Sequence, residues 1–221
     1  MKTKLLSIII LLTATAFGQE EPSSGKFSDY WYYGFGITGN TGYNISDNLR
    51  DAGVKRIPDV LPALFVGWTA AFTERLSLDM EFGVAGIIRN KKNAGSQLLQ
   101  APIRARFQYT AVKKEMFSLA AGVNFSIVGN DLTLWSGDTG IDMNDLDPEV
   151  NTGYIRLRNT QYFAGPSATV KLLDKGEAFL LLTLGYDFSL ANAKWKSDYA
   201  RLSNVVKEKN NQFFVGLAMP F

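Results

Sequence analysis

The chain has 221 residues, 46% of them hydrophobic and 20% charged, a balance that excludes extended disorder and suits one domain. Its 23 Lys and Arg against 21 Asp and Glu give a formal net charge of +2, which gives no reason to expect nucleic acid as a partner. Cys and His are both absent, which closes disulfides, zinc–thiolate sites, thiol nucleophiles and mechanisms that need an imidazole base.

In chain order, Lys2 and Lys4 precede an apolar run, Leu5 to Leu12, interrupted only by Ser7. Ala14, Ala16 and Gly18 then supply small residues for a cleavage site. This pattern predicts a secretory signal peptide over residues 1–18, cut after Gly18. The competing reading is an uncleaved anchor, for which the run is short. No Cys follows the signal, so a lipoprotein is excluded. Residues 19–29 form a short polar leader, and residues 30–221 are expected to be the folded domain.

From Tyr30 to the end, apolar and polar residues alternate in about eight segments, each near the ten residues expected of a tilted spanning strand. The first, Tyr30 to Gly39, sets Trp31, Tyr33, Phe35 and Ile37 against Tyr32, Gly34, Gly36 and Thr38. The second, Pro58 to Phe72, alternates Leu64, Val66, Trp68, Ala70 and Phe72. The third, Leu76 to Arg89, carries Leu76, Leu78, Met80, Phe82, Val84 and Ile88 on one face and Ser77, Asp79, Glu81 and Gly83 on the other. The fourth, Leu98 to Tyr109, alternates Ala101, Ile103, Ala105, Phe107 and Tyr109 with Arg104, Arg106 and Gln108. The fifth runs from Phe117 to Val128 and the sixth from Thr160 to Leu172, where Pro166 calls for a bulge. The seventh is Ala178 to Leu190, and the eighth, Gln212 to Phe221, ends on an apolar-face aromatic.

The connections alternate in length. Thr73 to Arg75, Thr110 to Met116 and Leu173 to Glu177 are short; Tyr43 to Ile57, Asn90 to Gln97, Gly129 to Asn159 and Ala191 to Asn211 are longer. An antiparallel meander gathers the short connections at one end, as in outer-membrane barrels with short periplasmic turns and long external loops. The predicted fold is therefore all-β, an eight-stranded antiparallel up-and-down transmembrane β-barrel, with its loops exposed outside the cell outer membrane.

A soluble ligand-binding barrel also alternates, with the apolar face turned inward. Three features favour lipid outside. Asp79 and Glu81 rise above one short turn to the same height as Arg104 and Arg106 above the next, so they can form an ion-pair cluster in a narrow lumen. Trp31, Trp68, Tyr109, Tyr162 and Phe221 fall towards strand ends, as interfacial girdles require. The chain also ends in Phe on the apolar face.

The stretches VGWTAAFTERLSLDMEFGVAG (Val66 to Gly86), LLQAPIRARFQY (Leu98 to Tyr109), FSLAAGVNF (Phe117 to Phe125) and QFFVGLAMPF (Gln212 to Phe221) resemble the PorT-like outer-membrane β-barrel proteins of Bacteroidota. In that family an apolar strand, a tight turn, "LSL" and a Leu-x-x-Pro strand recur in this order, and Gln97 to Pro102 fits the last element. The resemblance implies no catalytic residues and no cofactor. It implies that Phe221 is an assembly signal read by the barrel-assembly machinery. Through one member it implies an association with type IX secretion-system proteins.

An acid/base role for Asp79 and Glu81 competes with structural ion pairing. The third long loop carries Asp131, Asp138, Asp142, Asn144, Asp145, Asp147 and Glu149, oxygen donors that could hold Ca²⁺ or simply be solvated. The fourth carries Lys194, Lys196, Arg201, Lys207 and Lys209, which could meet lipopolysaccharide phosphates or the acidic loop. Leu132 to Trp135 and Tyr154 to Arg158 can extend the fifth and sixth strands as a hairpin. The sequence thus reads as a non-enzymatic outer-membrane barrel, in contact with outer-membrane lipid and lipopolysaccharide, that anchors external recognition loops and serves as an accessory to secretion. A small pore or transport barrel and a soluble periplasmic ligand-binding barrel are the alternatives.

Overall fold

The structure, a computed structural model, describes residues 29–91, 94–136 and 154–221. The signal peptide, residues 19–28 of the leader and the acidic residues Asp138 to Glu149 lie outside the described residues.

Eight strands close into an antiparallel barrel. They are β1 (Tyr30–Asn40), β2 (Val60–Ala71), β3 (Leu76–Lys91), β4 (Ala94–Lys113), β5 (Phe117–Ser136), β6 (Tyr154–Asp174), β7 (Glu177–Ser189) and, after a small β8–β9 pair (Ala193–Lys194 and Lys207–Glu208), β10 (Gln212–Pro220). Each strand pairs with its sequence neighbour in the barrel, and β1 closes against β10 from Tyr32↔Pro220 to Asn40↔Gln212. A short helix, α1 (Ile45–Asp51), sits in the first long connection.

The alternation places the expected faces. Trp31, Tyr33, Phe35, Leu64, Phe82, Phe107, Phe125, Leu184 and Phe188 are exposed on the outer wall, whereas Asp79, Glu81, Arg104, Arg106 and Asn124 are buried inside. An apolar exterior of this extent far exceeds the few-hundred-Å² patches tolerated in water. A polar interior with an apolar exterior is the arrangement of a barrel solvated by lipid. Among the described residues no helix is long and apolar enough to cross a membrane.

Three expectations need correction. The predicted loop Asn90 to Gln97 is largely ladder: β3 and β4 stay paired through Arg89↔Ser96 and Lys91↔Ala94. Its polar residues fit a solvated hairpin as well as a loop, so polarity alone misled. The Tyr43 to Ile57 connection holds α1, too short for a periodic signal. Pro166 sits in a strand without a register shift. The ladder to β5 runs unbroken through Val123↔Pro166, while the β7 ladder skips 165 and 166 and resumes in the same register. Proline lacks the donor that side of the ladder would use. Gly165 eases the approach there, because a Cβ on it would lie 1.9 Å from the Tyr186 carbonyl oxygen.

The short turns are built locally. Thr73 Oγ1 accepts from the Arg75 and Leu76 amides at 3.2 and 3.0 Å. Between Asp174 and Glu177, Lys175 and Gly176 have φ of 51° and 87°, the pair of positive φ values a two-residue type I′ turn demands. At the other end β4, β5 and β6 run 20, 20 and 21 residues against 9 to 13 for β1, β2, β7 and β10. About ten tilted residues cross the apolar band, so these strands project roughly as far again beyond it. The hairpin extension of β5 and β6 is paired from Leu132↔Leu157 to Trp135↔Tyr154.

Candidate functional site

The lumen and the structure above it hold the polar chemistry, and the parity of each strand decides what points in. Nearest the short turns, Gln108 Nε2 donates to Thr169 Oγ1 at 2.7 Å, and Thr169 and Thr183 share a hydrogen bond of 3.1 Å. Above them lies the ionic cluster. β3 and β4 pair Asp79 with Arg106 and Glu81 with Arg104. Glu81 accepts from Arg104 Nη1 at 2.7 Å and from Arg106 Nη1 at 2.9 Å. Asp79 lies 3.7 Å from Arg106 Nε, and Arg106 Nη2 donates to Tyr32 Oη at 2.7 Å. All four charged residues are at most 4% exposed. Buried charges are tolerated only when paired and hydrogen-bonded, and Glu81 meets that condition with both arginines.

Three further groups complete this layer. The Arg104 guanidinium carbon lies 4.6 Å from the centre of the Phe214 ring. Gly67 leaves room for Tyr32, since a Cβ there would fall 2.2 Å from the ring. Asp187 accepts from Asn124 Nδ2 at 2.7 and 2.9 Å and from Ser126 Oγ at 2.9 Å. Asp187 also brings a third carboxylate to two guanidiniums. Gly34 leaves room for the Phe65 ring, which a Cβ there would meet at 2.6 Å.

A band of amides crosses the lumen above the ions. Gln100 Nε2 donates to Tyr43 Oη and to Asn130 Oδ1, both at 2.7 Å. Asn130 Nδ2 donates to Asn159 at 2.8 Å and to Gln161 at 3.1 Å. Gln161 Nε2 donates to Asn210, whose own Nδ2 donates to Asn40 Oδ1 at 2.9 Å. These residues come from β1, β4, β5, β6 and the segment entering β10, so the band spans the section of the barrel. Burial raises the Tyr43 phenol above its ordinary value, which keeps it protonated.

The third layer is an apolar plug. Tyr43, Ile45, Leu49, Ile57, Leu61, Leu98, Leu132, Leu157 and Trp195 form one buried cluster between α1, the barrel wall and β8–β9. Fully buried Glu208 holds it together, accepting from the Asn44 amide at 2.7 Å, the Ile45 amide at 3.0 Å and Trp195 Nε1 at 2.8 Å. The carboxylate thereby satisfies orphan amides at the start of α1 that no side-chain cap serves. The lumen is closed by ions, amides and hydrocarbon in succession.

Outside the plug, Asp131 accepts from Arg156 and Arg158, and Arg158 also pairs with Asp198. Hydrogen bonds from Arg156 first, then Arg158, hold the Asp131 carboxyl below its usual range. Its oxygens are therefore engaged by guanidinium groups. Lys194, Lys196, Lys207 and Lys209 are exposed and alternate with buried Ala193, Trp195, Glu208 and Asn210, so their amines point to solvent. Phe221 is 72% exposed on the outer wall, its amide donating to the Trp31 carbonyl at 2.9 Å and its ring 5.8 Å from that of Tyr33.

Of the four luminal residues picked from the sequence, all meet in one cluster. Tyr32, Asp187, Phe214 and the amide band were missed. Their signal was parity: Gln100 shares a face with Arg104, and Asn124 and Asp187 lie on inward positions. Glu208 had no local signal for its role at α1, because the Asn44 and Ile45 amides it serves lie more than 160 residues away.

No protein family and no curated protein matches this sequence. Among solved structures, the chain is similar to Ail, the attachment invasion locus protein of Yersinia pestis, at 9% identity over 87% of this chain and 97% of that one, with a TM-score of 0.47. It is similar to the same protein in complex with the heparin analogue sucrose octasulfate, at 8% identity over 87% and 97%, with a TM-score of 0.46. It is also similar to a major outer membrane protein from Thermus thermophilus, at 11% identity over 88% of this chain and 100% of that one, with a TM-score of 0.41. The eight-stranded antiparallel barrel of this chain rests on its own strand pairing.

Proposed function

We propose that this chain is a non-enzymatic integral outer-membrane protein whose barrel anchors a rigid external head. The observation that carries the reading is the filled lumen beneath a structured cap. Ion pairs, a spanning amide band and an apolar plug succeed one another along the described lumen, and the α1, β8–β9 and β5–β6 projections are packed on that plug. A pore needs an open axis and a soluble carrier needs a polar exterior, so these layers and the apolar outer wall favour the anchor. The short turns face the periplasm and the long projections face outward, where the lysines of β8 and β9 are presented to lipopolysaccharide phosphates. The resemblance to PorT-like proteins adds a role as an accessory to secretion, and Phe221 is the signal read by the barrel-assembly machinery.

The test combines conductance with topology. Purified protein in a planar bilayer is expected to show no steady channel, and protease on intact cells is expected to cut residues 137–153 or 191–206 while sparing Thr73–Arg75. Steady conductance refutes the closed anchor, cleavage at Arg75 in sealed cells reverses the orientation, and recovery in the soluble periplasm removes the membrane reading. Co-purification with secretion components tests the accessory role.

A further inference from the structure

At the short-turn end the barrel has a cavity of about 230 Å³ whose lining includes no member of the ionic cluster. Three adjacent strands put Lys113, Ser118 and Lys171 side by side: Ser118 pairs with Lys113 on β4 and with Lys171 on β6. Directly paired residues share a face with Cβ atoms about 5 Å apart, so the two lysine side chains leave the wall on either side of buried Ser118. Like charges so placed repel unless an anion lies between them. Among the described residues neither lysine forms a salt bridge. Lys171 instead reaches across the mouth to lie 5.5 Å from the centre of the Tyr30 ring. In the cavity lining, Tyr30 Oη, Thr69 Oγ1 and Ser77 Oγ are buried and have no hydrogen-bond partner among the described residues. Arg75 stands at the rim, and Glu74 is the single carboxylate in the lining.

We infer that this mouth is a binding site for a compact phosphate group. Two ammonium groups and a lining of hydroxyl donors offer hydrogen bonds to an acceptor-only ligand, and buried hydroxyls without partners call for one. A tetrahedral phosphate can accept from the lysines and the hydroxyls at once; a planar carboxylate has fewer oxygens to divide among them. The mouth lies among the short turns, with Thr73, Glu74, Arg75 and Gly176 in its lining, which suits a phosphate arriving from solution. Under the orientation proposed above that solution is the periplasm, but binding in detergent is independent of orientation.

The experiment is calorimetric titration of the detergent-solubilised full-length barrel with inorganic phosphate, and with acetate as the planar comparison. Saturable phosphate binding is expected, weakened roughly tenfold or more in Lys171→Met and in Lys113→Met, as loss of a charge-assisted bond implies. Lys171→Arg is expected to retain binding, and Glu74→Gln is expected to tighten it by removing the opposing charge. Retained heat-modifiable gel mobility identifies variants that still fold. In nanodiscs, competition by phosphatidic acid assigns the phosphate to a lipid headgroup, and its absence assigns it to a soluble ligand. No saturable binding, acetate binding as tightly as phosphate, or equal affinity in wild type and both folded Lys→Met variants overturns the site.

Discussion

Replacing Arg104 with Met tests whether the luminal ions act as a unit. Arg104 donates to Glu81 at 2.7 Å and lies over Phe214, and it is 3% exposed. Its removal leaves Glu81 held by Arg106 alone, while Asp79 and Asp187 stay in the same layer. Breaking one side of a buried pair costs about 3–5 kcal/mol, because the remaining charge stays desolvated. Loss of the contact with the ring adds about 1 kcal/mol. Glu81→Gln alone should cost a similar amount, since it strands Arg104. In the double variant neither charge is stranded, so the losses should fall short of their sum by roughly 1–3 kcal/mol. The assay is reversible urea unfolding of the barrel in lipid vesicles, followed by gel mobility and tryptophan fluorescence. A parallel cycle of Arg104 with Asp79, which join only through Glu81 and Arg106, should show a smaller coupling of the same sign. Single losses below about 1 kcal/mol would mean a solvated pair, and additivity within about 0.5 kcal/mol would refute the coupling.

Deleting Phe221 should reduce insertion in cells far more than refolding into detergent, since one exposed ring contributes at most about 1.5–3 kcal/mol to packing; equal loss in both assays would make it an ordinary packing residue. Lys175→Asn should stabilise the barrel by up to about 1 kcal/mol, read as a higher urea midpoint, because Asn adopts the left-handed conformation of this turn more readily than Lys. An unchanged or lower midpoint would reject the type I′ assignment. The Asp131 carboxyl is held below its ordinary value, so its stabilisation of the β5–β6 projection is present above the usual carboxylate range and is lost as pH falls through the lowered value. Amide protection of residues 154–158 should therefore persist through the ordinary carboxylate range, about pH 4, and fail only at lower pH, and Asp131→Asn should abolish that dependence.

The barrel was legible because lipid and lumen impose opposite chemistry on alternate residues. That parity placed Arg104 and Arg106 inside and Phe107 and Tyr109 outside, and the short turns fixed which inward residues meet. What parity does not encode is how far a strand continues once it leaves the membrane. There the outward parity is no longer uniformly apolar, as at Gln97, so the extended β3–β4 ladder read as a loop. The plug was hidden for a different reason. Its apolar residues Ile45, Leu49, Ile57 and Trp195 are scattered through connections with no period, and only the closed cylinder brings them together.

Glu208 has a consequence for assembly. It precedes the last strand, yet its carboxylate binds the amides that open α1, just beyond the first strand. The two strands it joins, β1 and β10, are also the pair that seals the cylinder. Contacts of such sequence separation carry a large loop-closure cost and form late. The head therefore cannot mature on a partly threaded chain: its α1 anchor is supplied only when the final strand has reached its place. An intact head is a chemical record that the seam has shut, and any partner that reads it engages finished barrels and passes over intermediates.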